Sequence, residues 1–84
     1  MDLLFSEEAW EEYLNWQKIN PKTLKKINER VKATLRDPYS GIGKPEPLKF
    51  DMSGCFSRRI DAEHRLVYKV ENDKLIVIQC KYHY

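Results

Sequence analysis

Apolar positions follow a helical period in the first half of the chain and an alternating one in the second. Leu3, Leu4 and Phe5 form a short apolar run that fits a first strand. Ala9, Trp10, Tyr13, Leu14 and Gln17 then recur at helical spacing, so a helix is expected from Ser6 to about Ile19. Ser6 suits its N-cap, and Glu7 and Glu8 suit the positive end of its dipole. The same stripe assigns Trp10 to the core and leaves Trp16 off it. Asn20-Pro21 restarts the chain, with Asn as cap and Pro at the first helical position. Leu24, Ile27, Val31 and Leu35 carry a second helix to Asp37-Pro38, where proline ends it.

The segment from Asp37 to Pro47 holds three of the four prolines and two of the three glycines, and reads as a loop. Beyond it, strands are expected near Glu46–Lys49, Cys55–Ile60, His64–Val70 and Leu75–Tyr82, with turns at Asp61–Glu63 and Asn72–Lys74. The order β-α-α-β-β-β predicts one α+β domain spanning residues 1–84. Its two N-terminal helices should pack on one face of a twisted, mainly antiparallel sheet. Odd hairpin loops centred on Ala62 and Asp73 sort polar from apolar side chains best. They place Leu66, Tyr68 and Val70 with Ile76, Ile78, Cys80 and Tyr82 against the helices. Arg59, Arg65, Gln79, Lys81 and His83 then gather on the other face. A one-residue slip would reverse these assignments. This register also sets Arg59 nearly opposite Arg65, a repulsive pair across a sheet unless an anion lies between them.

Composition adds an ordinary globular profile, 42% hydrophobic and 33% charged. No apolar run approaches the roughly 20 residues that span a bilayer, and the N-terminus lacks the basic region of a signal peptide. A cytoplasmic protein with no membrane partner is therefore expected. Cys55 and Cys80 are expected as reduced core residues. Two Cys and two His at no ligand spacing predict no zinc site. The net charge of +2 is unevenly spread. Residues 1–17 hold five acids and no base. The other eight acids and all fifteen bases lie in residues 18–84, a net of +7 that would attract a polyanion.

Candidate chemistry lies at both ends of the second half. Glu46 is held between Pro45 and Pro47 in a basic stretch, and Lys81-Tyr82-His83-Tyr84 is an aromatic terminus with a histidine suited to proton transfer near neutral pH. RNA can be cut without a metal or cofactor when its 2′-hydroxyl attacks the adjacent phosphate. That needs a base for the 2′ proton, an acid for the leaving 5′ oxygen, and cations for the phosphorane charge. Glu46 can be the base, His83 the acid, and Arg59 with Arg65 the clamp, their planar forks matching phosphate. His64, beside Arg65, is expected to point to the other face as a structural residue. A non-catalytic nucleic-acid-binding or partner-docking module would use the same arginines without needing Glu46 or His83.

The stretches Gly43-Lys44-Pro45-Glu46-Pro47-Leu48-Lys49, Ser57-Arg58-Arg59-Ile60, Glu63-His64-Arg65-Leu66-Val67-Tyr68 and Tyr82-His83-Tyr84 together resemble the YoeB toxins of the RelE superfamily. Phe5-Ser6-Glu7-Glu8-Ala9-Trp10 and Tyr13-Leu14-Asn15-Trp16 extend the resemblance over essentially the whole chain. It implies a RelE-like microbial RNase fold and the toxin of a type II toxin–antitoxin pair. Such a toxin is an mRNA interferase that cuts the codon exposed in the A site of the 70S ribosome. By motif position, Glu46 resembles the general base, His83 the general acid and Arg65 the transition-state arginine. Arg59 and Lys49 resemble further phosphate contacts, and Tyr84 a residue that orients or stacks on substrate. Lys44 and Lys81 are expected to add substrate contacts. The implied partners are a YefM-type antitoxin, the ribosome, mRNA and a second copy of the chain, with Trp10 or Trp16 at the dimer interface.

Overall fold

A computed structural model describes residues 1–82, so His83 and Tyr84 lie outside the described residues. In chain order the elements are β1 (Asp2–Phe5), α1 (Glu7–Ile19), α2 (Pro21–Arg36), β2 (Glu46–Pro47), a single 3₁₀ turn (Phe50–Met52), β3 (Phe56–Arg59), β4 (Arg65–Glu71) and β5 (Lys74–Gln79). The sheet runs β1-β5-β4-β3-β2, with β1 parallel to β5 and the other pairs antiparallel. Two helices on a mainly antiparallel sheet are the expected α+β architecture.

The helix ends follow their capping chemistry. The Ser6 hydroxyl accepts the Ala9 N–H at 3.1 Å and donates to the Ile78 carbonyl at 3.1 Å, tying the start of α1 to β5. Asn20 closes α1 and caps α2 by accepting the Thr23 N–H at 3.3 Å, with Pro21 in the first turn. The core lies between helices and sheet. Ala9, Trp16, Ile27 and Val31 meet Ile60, Leu66, Tyr68, Leu75, Val77 and Cys80. A smaller cluster of Leu48, Cys55 and Val67, flanked by Met52 and Ile78, forms apart from it. Both cysteines are buried and free.

Two expectations need correction. Trp16 is the core tryptophan, 4% exposed, with its indole N–H donating to the Cys80 carbonyl at 2.9 Å. Trp10 is 45% exposed, stacked on Tyr13 at 5.7 Å. The inward line of α1 runs Ala9, Tyr13, Trp16, the i, i+4, i+7 spacing of one helix face, and Trp10 sits beside it.

The β4–β5 hairpin turns through two residues, not an odd loop. Asn72 and Asp73 both take left-handed backbone (φ +53° and +59°), the arrangement that matches strand twist in a two-residue hairpin. Tyr68 therefore pairs with Val77 and Val70 with Leu75, so Leu75 and Val77 enter the core in place of Ile76 and Ile78. A bulge then inserts Ile78, and Val67 pairs with Gln79. Past the bulge the expected register is restored, with Gln79 on the outer face and Cys80 in the core. β5 ends at Gln79, short of Tyr82.

Candidate active site

The outer face of the sheet is assembled by register. Glu46 pairs with Ser57, Ser57 with Val67, and Val67 with Gln79, making one row across four strands. Directly paired residues point to the same face, so this row carries a carboxylate, a hydroxyl and an amide together. The next row is Arg59 paired with Arg65, as expected. Ser57 is fully buried, and its hydroxyl accepts from Arg65 Nη1 at 3.4 Å. Glu46 and Arg59 are exposed, and among the described residues neither side chain makes a hydrogen bond or ion pair. Among the described residues no carboxylate is paired with either arginine, and two adjacent guanidinium groups suit an anion.

β2 is two residues long because prolines flank Glu46 and Pro47 has no N–H to give. Such a segment belongs on a sheet edge, where it lies. The loop before it is held from below. Arg58 alternates with Ser57 and Arg59 and so faces the helices, fully buried. Its guanidinium donates to the carbonyls of Ile42 (2.9 Å), Ser40 (2.9 Å) and Asp37, and to the Tyr68 hydroxyl (3.3 Å). The Tyr68 hydroxyl in turn donates to the Pro38 carbonyl at 2.5 Å. One side chain thus gathers the turn that leads to Lys44 and Glu46. Asp37 starts that turn by accepting the Ser40 hydroxyl (2.6 Å) and the Tyr39 N–H (3.0 Å), which hold its carboxyl below the usual range.

Gly43 completes the placement. Its carbonyl accepts the Arg59 N–H at 2.9 Å, its φ is +86°, and a Cβ there would lie 2.8 Å from the Arg59 carbonyl oxygen. Only glycine allows the loop this close to β3. Beside this contact opens a cleft of about 260 Å³ lined by Arg30, Gly43, Lys44, Arg59 and Ile60. Arg30 Nε donates to the Arg59 carbonyl at 3.2 Å.

The expected residues are therefore placed as follows. Glu46, Arg59 and Arg65 share the outer face. Lys44 lines the cleft beside Arg59, and Lys49 is exposed just beyond β2, at the start of the 3₁₀ turn. The Lys81 ammonium lies 5.8 Å from the Trp16 ring centre and 5.4 Å from that of Tyr82. His83 and Tyr84 lie outside the described residues. Sequence reasoning missed Ser57 and Arg58. The alternation Phe56, Arg58, Ile60 against Ser57, Arg59 was the available signal for both.

Cys80 is held as a neutral, buried thiol. Burial, helped by the Glu12 carboxylate, pushes its thiol up to about 12, and the thiol donates to the Ala9 carbonyl at 3.6 Å.

Known proteins match this chain along its length. The family profile of the YoeB-like toxins of bacterial type II toxin–antitoxin systems matches residues 5–84. Toxin YoeB of Escherichia coli K12 is 55% identical over 84 residues, covering all of both chains. A solved YoeB/ParE toxin from Agrobacterium tumefaciens superposes with a TM-score of 0.97 at 46% identity, again over all of both chains. The YoeB–YefM complex from Staphylococcus aureus contains a chain 47% identical to this one, with a TM-score of 0.90 and coverage of 100% of this chain and 98% of that one. A YoeB dimer from the same organism has also been solved, at 46% identity, a TM-score of 0.91 and the same coverage. Matched along its length in sequence and in fold, the chain belongs to the YoeB family of type II toxin–antitoxin toxins.

Proposed function

We propose that this toxin is a ribosome-dependent mRNA endoribonuclease that needs no metal ion. The observation that carries the reading is the register that puts Glu46 and the Arg59–Arg65 pair on one open face of the sheet. The scissile phosphate sits between the arginines, which relieves their mutual repulsion. The Glu46 carboxylate takes the proton from the 2′-hydroxyl, and the 2′ oxygen attacks phosphorus. The P–O5′ bond breaks as His83 gives a proton to the departing oxygen. Arg65, steadied by Ser57, and Arg59 stabilise the phosphorane charge. The fragments end in a 2′,3′-cyclic phosphate and a 5′-hydroxyl. Lys44, Lys49 and Lys81 contact the RNA backbone, and Tyr84 orients or stacks on the substrate. A net charge of only +2 gives weak attraction for free RNA, so the ribosome supplies much of the positioning.

A YefM-type antitoxin inhibits the toxin by covering this face. A second copy binds elsewhere. An apolar groove of about 490 Å³ is lined by Leu3, Phe5, Trp10, Tyr13, Val31 and Leu35, and the half-exposed Trp10 at its edge is suited to a dimer contact.

Primer extension on a defined mRNA held on stalled ribosomes tests the reading. Wild type should give a cut at the A-site codon. Glu46→Gln should cut roughly 100-fold or more slowly, the range for loss of a general base, with unchanged unfolding. No cut by a folded wild type, or full activity in Glu46→Gln, would turn the arginine pair into a docking site for nucleic acid or an acidic partner.

A further inference from the structure

His64 is buried beside the C-terminal segment, and its surroundings fix its ring. It stands edge-on to Trp16, with centroids 4.7 Å apart and planes at 85°. Its backbone closes the β3–β4 turn. The His64 N–H donates to the Asp61 carboxylate at 2.7 Å, and its carbonyl accepts from the N–H groups of Ile60 (2.9 Å) and Asp61 (3.3 Å). The ring so held offers one acceptor, Nδ1, and this takes the N–H of Tyr82 at 2.7 Å. Accepting an amide proton requires a bare nitrogen, which puts the ring proton on Nε2, 3.6 Å from Glu63 Oε1.

The Tyr82 carbonyl is also held, accepting from the Arg65 N–H at 3.2 Å. Both backbone polar groups of Tyr82 are thus anchored to two consecutive residues at the start of β4. Tyr82 has φ +62°, a left-handed backbone that a residue with a side chain rarely adopts. Two residues earlier, the Cys80 N–H donates to the Glu12 carboxylate at 2.7 Å.

We propose that His64 is a positioning residue. Its Nδ1 fixes the backbone of Tyr82, the residue bonded to His83, and so limits where the general acid can stand. The proposal rests on the reading of His83 as the general acid. The Arg65 backbone that holds Tyr82 belongs to the residue whose side chain holds the phosphate, so acid and clamp share one support. A displacement of about 1 Å at such a group is enough to slow catalysis 100-fold.

Two variants separate hydrogen bonding from packing. His64→Leu keeps an apolar contact for Trp16 and offers no acceptor, whereas His64→Asn offers a carbonyl oxygen near the place of Nδ1. His64→Ala replaces the leucine variant if that fails to fold. Cleavage on programmed ribosomes gives kcat and KM, and hydrogen exchange of the Tyr82 amide in the free protein reports the contact itself. His64→Leu should lower kcat at least tenfold with KM within about threefold of wild type, and His64→Asn should recover kcat to within about threefold. The Tyr82 amide should exchange at least tenfold faster in His64→Leu than in wild type or His64→Asn. Equal kcat in His64→Leu and wild type would overturn the proposal. So would an asparagine variant that protects the Tyr82 amide but cuts no faster than leucine. If wild type cuts no RNA at all, the enzymatic reading has failed and the positioning claim with it. Slow Tyr82 exchange would then show the contact to be purely structural.

Discussion

Arg58 and Arg59 are neighbours in sequence and opposites in environment. Arg58 points toward the helices, is fully buried, and spends its donors on three loop carbonyls and the Tyr68 hydroxyl. Arg59 points outward, is exposed, and among the described residues its side chain has no hydrogen bond or ion pair. Strand alternation alone produces the difference. One face of β3 uses an arginine to hold a loop in place, and the other presents an arginine beside the carboxylate which that loop delivers. Two adjacent arginines therefore meet two separate demands.

The largest expected effect breaks the inner half of this comparison. Arg58→Met should lower unfolding stability by about 3 kcal/mol or more, because it strands buried carbonyls and a tyrosine hydroxyl. Urea unfolding measures this. Arg59→Ala should leave stability within about 0.5 kcal/mol, as for an exposed residue. Its cleavage rate should fall about 100-fold, roughly 2.7 kcal/mol of transition-state stabilisation. If both variants lost stability equally, the division of labour between the faces would be wrong.

A middle-sized effect joins the two faces. Gly43→Ala should force the loop off the Arg59 carbonyl and tilt Glu46 away from the arginine pair. Stability should fall by about 1 kcal/mol, the cost of a side chain at positive φ with a close contact. Cleavage should fall about tenfold through misplacement of the base. A fully active Gly43→Ala protein would mean that Glu46 is placed by β2 pairing alone.

The smallest effect is acid sensitivity of the turns. Burial raises the Asp61 carboxyl, but the N–H groups of Glu63 and His64 outweigh it and leave it below its ordinary 3.8. Asp37 is lowered by the Ser40 hydroxyl and the Tyr39 N–H. In both cases the unfolded chain binds protons more readily. The stabilisation is present above pH 3.8 and is lost as pH falls from there through the lower folded values. Glu12 acts in the other sense, since burial raises it above 4.5, so its contribution favours folding at low pH and fades as pH rises past that value. The melting temperature should drop below pH about 3.8, and less steeply in Asp61→Asn. An equal acid drop in that variant would remove Asp61 from the account.

Much of this was legible in the sequence because the signals are local. Ser6, Asn20-Pro21 and Asp37-Pro38 bound the helices through side-chain caps and proline sterics, and the three-residue turn Asp61–Glu63 set the Arg59–Arg65 pair. What was not legible depends on distant contacts. The Ile78 bulge is a one-residue insertion with no sequence mark, fixed in part by the Ser6 bond to its carbonyl. Trp16 is buried because its indole finds a carbonyl 64 residues away. Arg58 read as half of a charged pair because burial of an arginine becomes affordable only once four acceptors converge on it, and a loop supplies three of them.

The central claim is that the 2′-hydroxyl of the message, activated at Glu46, attacks its own phosphate on the outer sheet face. A message carrying 2′-deoxy nucleotides across the A-site codon, on ribosomes programmed identically to an all-ribose control, tests it most directly. The account predicts cleavage of the control, with a 2′,3′-cyclic phosphate end, and no cleavage of the deoxy message. Cleavage of the deoxy message at the same site would show an external nucleophile and contradict it.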